Sequence, residues 1–317
     1  MPELTIRPLR PGETELFLSY PFERLPGLWE TARDYAALLA ARQYRPEHTW
    51  VAIEAGVVVA RACWWCGPDD TRPAALDWLE AMPGPRQVAL GTKLLLTAHD
   101  SMRNDDGKRP DYHLFLPPGW RDNPVMRDWA RARMDAAKNA GLQLFVERFS
   151  YRWSAERDGL PPRGARLDYR PADEAQLLVA LREILADTLD AHDRRSIAQI
   201  GLDRAAQQQL EDLAWFPSPR DWWKLAYTKS GELAGLIVPA RNHRVPVIAY
   251  IGVVPAQRGR GYVNELLAEM MWMLSEFAPG EEVGADTDMG NVPMAAAFGR
   301  AGFRVTDERI VMTDAES

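Results

Sequence analysis

Apolar residues recur along this chain in two rhythms, and the order of the rhythms is nearly the same in its two halves. Short apolar segments at Leu4–Pro8, Thr49–Glu54 and Val57–Trp65 predict strands, the last two joined by a turn at Gly56. Leu167–Tyr169, Lys224–Thr228 and Leu233–Val238 repeat that arrangement, with the turn at Ser230-Gly231. Each opening strand runs into a polar start, Arg10-Pro11-Gly12-Glu13 or Arg170-Pro171-Ala172-Asp173-Glu174. In the second half Leu177, Leu178, Leu181, Ile184, Leu185 and Leu189 fall at helical spacing and predict a helix from Ala175 to about Leu189. Both halves close alike. Asn123-Pro124-Val125-Met126 leads to Ala140-Gly141-Leu142, and Asn291-Val292-Pro293-Met294 leads to Ala301-Gly302-Phe303. Gly at the end of each helix suits the left-handed residue that terminates it, and strands are expected after it over Gln143–Phe149 and Arg304–Met312.

Matched landmarks lie about 160 residues apart, so the chain reads as an internal duplication of one α/β domain. The expected division is a first domain over residues 1–157, a Pro- and Gly-rich linker over 158–164, and a second domain over 165–317. A length of 317 residues accommodates two such domains. A net charge of −7 argues against a nucleic-acid partner, because phosphate binding needs a basic face. The N-terminus has no apolar export segment, and no apolar run is long enough to span a bilayer. Two cysteines, Cys63 and Cys66, are too few for a disulfide framework. A cytoplasmic protein without membrane or nucleic-acid partners is therefore expected. Cys63-Trp64-Trp65-Cys66 has no second cysteine pair to complete a zinc set, so no metal is expected and the thiols read as buried strand residues.

The chemistry concentrates in Ile248-Ala249-Tyr250-Ile251-Gly252-Val253-Val254-Pro255-Ala256-Gln257-Arg258-Gly259-Arg260-Gly261-Tyr262-Val263. An apolar strand runs into a basic, glycine-rich turn and then into a helix from Val263 to about Phe277. Glycines on both sides of Arg260 let backbone N–H groups converge on a ligand, and the helix N-terminus adds positive potential. Such a cradle suits a diphosphate. It lacks the Lys-Ser/Thr ending of a P-loop and the Gly-x-Gly-x-x-Gly of a dinucleotide-binding turn.

In combination, Arg258-Gly259-Arg260-Gly261-Tyr262-Val263 and the segment Asp288 to Phe303 resemble the GNAT acyltransferase superfamily, whose loop reads Gln/Arg-x-x-Gly-x-Gly/Ala. The resemblance covers about Leu167 to Met312; Val263 stands where Gly or Ala is usual. It implies two tandem GNAT-like α/β (α+β) domains, each a mixed, mostly antiparallel central sheet flanked by helices. It also implies acetyl-CoA as cofactor, with backbone groups of Ile251, Val253 and Val254 along the pantetheine and amides from Arg258 to Val263 (Arg258, Gly259, Arg260, Gly261, Tyr262, Val263) around the pyrophosphate. Asn291 would lie beside the pantetheine arm, and Met294 and Phe298 against the cofactor. The activity implied is N-acetyl transfer to an amine of a small molecule by direct attack in a ternary complex.

Amine acylation also needs proton transfer. Many members of the resembled family carry a Tyr acid seven positions after the Asn, where this chain has Phe298. Either another group such as Tyr250 or Tyr262 replaces it, or the thiolate leaves unaided, or the domain binds without catalysing. Val247 occupies the strand position where some members carry Glu, which leaves Asp286, Asp288 and His243 as candidate bases. The catalytic expectation is thus Asp288, Tyr250 and His243. Trp215-Phe216-Pro217 and Asp221-Trp222-Trp223 lie where the resembled fold shapes its acceptor pocket. Pro85 to Lys93, the matching stretch of the first half, has no paired glycines, so that half is expected to be a degenerate, structural copy. Phe298 and this degenerate copy motivate the alternative of a non-catalytic acyl-CoA sensor or scaffold. A monomer or homodimer is expected.

Overall fold

The strand and helix rhythms of the first half fold as β1 (Leu4–Pro8), α1 (Thr14–Leu18), α2 (Tyr35–Ala40), β2 (Thr49–Glu54), β3 (Val57–Trp65), β4 (Ala75–Ala81), α3 (Gln87–Met102), β5 (Asp111–Leu116), α4 (Pro124–Asn139) and β6 (Leu142–Trp153). The second half follows as α5 (Ala155–Asp158), β7 (Leu167–Pro171), α6 (Glu174–Leu185), α7 (Ala191–Ile200), α8 (Leu202–Leu213), β8 (Lys224–Thr228), β9 (Leu233–Arg241), β10 (Pro246–Val253), α9 (Tyr262–Phe277), β11 (Val283–Asp288), α10 (Val292–Arg300) and β12 (Arg304–Asp314). These elements come from a computed structural model, which describes residues 3–21, 25, 27–28, 34–102, 107–242 and 244–315. Among the described residues no helix is long and apolar enough to cross a membrane.

By their internal contacts the residues form two units, one of Met1–Glu147 with Asp307–Ser317, the other Arg148–Thr306. In the first, β1, β2, β3 and β4 pair antiparallel in sequence, β4 pairs parallel with β5, and β5 pairs antiparallel with Glu308–Met312 of β12. In the second, β7, β8, β9 and β10 pair antiparallel, β10 pairs parallel with β11, and β11 pairs antiparallel with Arg148–Trp153 of β6. Each unit is thus a mixed, mostly antiparallel sheet with helices against it, and the duplicated order is plain.

The boundaries differ from those expected at 157 and 165. The halves exchange their closing strands: the end of β6 completes the second sheet, and the end of β12 completes the first. Nor is 158–164 a free spacer. The Trp272 indole N–H on α9 donates to the Pro161 carbonyl at 2.9 Å, and Arg163 pairs with Glu276 at 2.9 Å. The expected helix to Leu189 also stops early, at Leu185. Asp190 starts a new helix by accepting the His192 and Asp193 amides at 2.8 and 3.3 Å, a cap that outcompetes continuation. Gly141 and Gly302 adopt φ of 95° and 88°, the left-handed conformation expected after α4 and α10.

Two apolar layers hold the second sheet. Leu266, Leu267, Met270, Met271 and Leu274 of α9 pack with Ile237, Ile248, Ala285 and Phe298. On the other layer Leu177, Leu181, Ile184 and Leu185 of α6 and Leu210 and Leu213 of α8 cover Leu225, Leu236 and Val238. Each such buried side chain contributes roughly 1.5–3 kcal/mol. Leu267→Asp would put a charge in the middle of α9's buried stripe and unseat the helix.

Candidate functional site

The site begins with a strand that leaves its neighbour. β10 pairs with β11 at Val247↔Gly284, yet β10 continues beside β9 to Val253 and β11 continues beside β6 to Asp288. Two strands that pair at one position and then follow different partners must diverge. The cause is local. The β9–β10 register shifts between Ile248 and Tyr250, so Ala249 is an extra residue on β10. Ile248 lies opposite Pro239, which has no N–H for the ladder, and proline inside a sheet belongs at such bulges. A bulge bends its strand and raises its twist. Past Val247 the edge of β10 facing β11 is therefore open, and the strand is mostly half-buried there. Gly252 is required beneath α6, because a Cβ there would lie 2.6 Å from the Ile184 Cγ2.

The strand ends in the cradle. Gly259 and Gly261 have φ of 77° and 75°, and a Cβ on Gly259 would meet nothing within 4 Å. Gly261 is the N-cap of α9, and no side chain caps the helix. The loop bonds at Arg258 N–H to Pro255 and at Asn264 N–H to Gly261, but no backbone N–H from Gly259 to Val263 donates to a partner among the described residues. Five consecutive free donors at the positive end of a 16-residue helix make an anion cradle. Acyl-CoA fits that chemistry: a diphosphate for the amides and an extended amide-bearing arm for the open edge of β10. Arg260 is exposed and has no ion-pair partner among the described residues. Arg258, expected at the pyrophosphate through its backbone, turns its guanidinium the other way. It donates to the carbonyls of Val253, Ile184 and Asp187 at 3.1, 3.2 and 2.7 Å and to the Asp187 carboxylate at 2.7 Å. That side chain braces the loop against the end of α6.

Tyr262 lies half-buried under the Arg166 guanidinium, 4.7 Å from its ring centre. Ile251, Val253 and Met294 pack at the margin of the α9 layer. Asn291 accepts the Met294 amide at 3.3 Å as the N-cap of α10. Phe298 is buried, its ring 4.9 Å from Tyr151 and 5.1 Å from Phe303. Val254 is buried, with its N–H on Ala234. Of the aromatic run, Trp223 is buried and Phe216 and Trp222 pack beside it in the α6–α8 layer, whereas Trp215 is exposed. His243 lies outside the described residues.

Asp288, one of the three expected catalytic residues, is committed. It is buried, its Oδ1 lies 2.9 Å from Arg148 Nη1, and its Oδ2 accepts the Ala191 amide at 2.6 Å. Burial pushes its carboxyl up, against Arg148. Asp286 accepts the Ser150 hydroxyl at 2.5 Å. Asp190, His192 and Asp288 bring ligand-type atoms within 4.8 Å of one another. Arg148 Nη1 already stands among them, 3.1 Å from Asp190 Oδ2 and 3.1 Å from His192 Nδ1, so a guanidinium fills the place a metal would take. Burial works to raise Asp190, but its bond with His192 and the Arg148 charge outweigh that and hold the carboxyl below the usual range. Asp193 forms no ion pair with Arg148 among the described residues, and the guanidinium lowers it only weakly. Burial and then the Asp190 charge push it up to about 6, while the Thr188 hydroxyl donates to its Oδ2 at 2.9 Å. Tyr250 is half-buried on β10, and burial followed by the charges of Asp193 and Asp190 raises its phenol. Arg148, Asp190, His192 and Asp193 escaped the sequence reading. Its available signal was Asp190-Ala191-His192-Asp193, a capping Asp with a second acid three positions on.

No family model and no curated protein matches the sequence. Solved structures do. A GCN5-related N-acetyltransferase from Sphaerobacter thermophilus superposes with a TM-score of 0.56 at 14% identity, covering 98% of this chain and 95% of its own. A tandem GNAT protein from the clavulanic acid biosynthesis pathway gives a TM-score of 0.52 at 18% identity and covers 98% of each chain. A GCN5-related glucosamine N-acetyltransferase region of a fungal multi-domain β-N-acetylglucosaminidase gives 0.57 at 13% identity, over 98% of this chain and 38% of that one. The fold is that of the GNAT acetyltransferases, in the tandem form.

Proposed function

We propose that the protein is an acetyl-CoA-dependent N-acetyltransferase whose working site lies in the second unit and whose acceptor is a small-molecule amine. The observation that carries this reading is the run of five backbone N–H groups from Gly259 to Val263 without a partner among the described residues, placed where the open edge of β10 ends. The amides hold the pyrophosphate, and the backbone of Ile251 and Val253 aligns the pantetheine arm; Val254, expected there too, has its N–H on Ala234 and its carbonyl on the Gln257 amide. Met294 packs beside it, and Arg260 adds charge at the entrance. The thioester supplies the activated acyl group. The chain's part is to hold it along β10, to keep water from the apolar α9 side, and to manage protons on the α7 side. There Tyr250 remains a candidate, whereas Asp288 is held by Arg148 and serves to position α7.

Calorimetric titration with acetyl-CoA tests the cofactor, and release of free CoA over a panel of primary amines tests the transfer. Saturable binding with amine-dependent thiol release supports the enzyme; absence of binding sinks the assignment. A non-catalytic acyl-CoA sensor is the second reading, favoured by Phe298, which puts no hydroxyl on α10. Binding without thiol release from any amine would favour it.

A further inference from the structure

The helix α7 is oddly placed for a structural element. None of its ten residues is fully buried, although His192, Asp193, Ser196 and Ile197 are half-buried. Its first amide, on Ala191, is fixed to Asp288 at the end of β11, and its capping Asp190 is fixed to Arg148 on β6. Asp193 shares a face of α7 with Ile197, which packs with Ala249 and Tyr250 of β10 against the α6–α8 layer, and the Asp193 charge raises the Tyr250 phenol. α7 thus runs from the end of β11, at Asp288, to Ala249 and Tyr250 of β10, beside the divergence of the two strands. The carboxyl ends of neighbouring parallel strands, where connections part, are where open α/β sheets take ligands.

Four carboxylates lie about Arg148, and three are committed, Asp286 among them through the Ser150 hydroxyl. Asp190 caps α7 and pairs with Arg148, and Asp288 holds Arg148 and Ala191. Asp193 receives only the Thr188 hydroxyl on Oδ2; its Oδ1 has no donor among the described residues, and neither does the Tyr250 hydroxyl. Asp190 at the N-cap of α7, His192 on α7 and Arg148 on β6 act on it, and it acts in turn on Tyr250 of β10. With Asp193 ionised, the carboxylates of Asp190, Asp193, Asp286 and Asp288 outnumber Arg148 and His192, so a further cation is favoured.

We propose that Asp193 is the proton acceptor of the transfer, and that the acyl acceptor is a primary amine that arrives as its ammonium cation on the α7 side of the opening. This rests on the acyl-thioester reading above. One proton of the ammonium passes to the Asp193 carboxylate, which frees the nitrogen lone pair. That pair forms the bond to the acyl carbon, the bond from that carbon to sulfur breaks, and the sulfur keeps the bonding pair. The nitrogen's second proton ends on sulfur, the third remains on the amide, and Asp193 returns its proton to water. A carboxyl that titrates near 6 exchanges protons readily at neutral pH.

The test uses the whole chain, acetyl-CoA, and spermidine and tyramine as amine probes. Wild-type turnover per free enzyme and substrate should rise with pH through a midpoint near 6. Asp193→Asn should lose on the order of 100-fold and that rising limb, while acetyl-CoA affinity stays within about twofold. Asp193→Glu should recover part of the rate and restore a limb at a shifted midpoint. Independently of turnover, calorimetry of the amine at pH 6 in two buffers of different ionisation heat should show proton release from wild type and none from Asp193→Asn. Turnover above half of wild type in Asp193→Asn, an unmoved pH limb, or equal proton release would overturn the proposal. So would a wild type that binds acetyl-CoA but neither binds nor acetylates either amine. Failure to bind acetyl-CoA would instead strike the cofactor reading first.

Discussion

β4 and β10 are the same strand drawn twice, and they differ in what lies along them. Each pairs parallel with its neighbour only near its start, at Ala75↔Asp111 and Leu76↔Tyr112 in the first unit and at Val247↔Gly284 in the second. Each then carries one extra residue, Asp77 or Ala249, at a register shift against the preceding strand. Every residue of β4 is buried, whereas β10 is mostly half-buried. In the first unit Tyr44 donates to Asp77 at 3.0 Å, and Arg61 is fully enclosed, bonded to Glu80 at 2.6 Å and to the Phe17 carbonyl at 2.6 Å. The Phe17 and Trp78 rings flank its guanidinium at 4.6 and 5.3 Å. The helix after β4 starts without paired glycines. Gln87 closes its own approach by donating to the Ala81 carbonyl at 3.3 Å, and Arg86 is spent on Glu54 at 2.7 and 3.0 Å. One architecture supplies a divergence; side chains decide whether it is filled from within or left for a ligand.

That contrast can be broken from either side. The largest effect is expected at Glu80→Ala, which takes from the buried Arg61 guanidinium the carboxylate it is bonded to. The loss is about 3–5 kcal/mol, read as a lower midpoint in urea, with acetyl-CoA affinity at the second unit little changed. Next comes Gly261→Glu, which sets a carboxylate in the cradle. Acetyl-CoA affinity should fall by more than about 100-fold, near 2.7 kcal/mol, whereas Arg86→Ala, at the start of α3, leaves it unaltered. Equal losses in the two variants would mean that the first unit binds as well. Arg258→Met removes the brace between the cradle and α6 without touching the amides. A weakening of about fivefold, near 1 kcal/mol, is expected by calorimetry, and a loss as large as that of Gly261→Glu would instead make Arg258 a direct ligand. The smallest effect concerns stability. Asp193 titrates near 6 in the fold, above its ordinary 3.8, so the fold gains stability as pH falls from about 7 towards 4. Asp193→Asn lacks that dependence. It should melt a few degrees above wild type at pH 8, for roughly 1 kcal/mol, and the gap should close by pH 4. A constant gap would show that Asp193 does not carry the shift.

Much of the fold was legible because it is written in local chemistry. Gly141 and Gly302 end their helices as spacing and backbone freedom predict, and Gly259 and Gly261 open the cradle that their neighbours Arg258 and Arg260 advertise. The closing strands were not legible in the same way. β6 and β12 have similar patterns and similar positions after a helix and a glycine, so nothing local states which sheet each completes. The carboxylates around Arg148 were hidden for another reason. Arg148 lies on β6, 42 positions from Asp190 and far from Asp288, and only strand pairing brings them together. The bulge had a signal that was passed over: Pro239 within an otherwise apolar strand.

The exchanged strands also set a schedule for how the polypeptide can mature. Glu308 holds Trp120 Nε1 at 2.9 Å across 188 positions of sequence, and Asp314 holds the Arg109 guanidinium at 2.8 Å. A nascent chain emerging from the ribosome therefore exposes the unpaired edge of β5 until nearly the whole second half has been made. Contacts so distant in sequence are slow to close, and an open strand edge invites association with other chains meanwhile. For the same reason a fragment cut at residue 157 would carry that sticky edge permanently. The two halves are thus committed to being made, and inherited, as one piece.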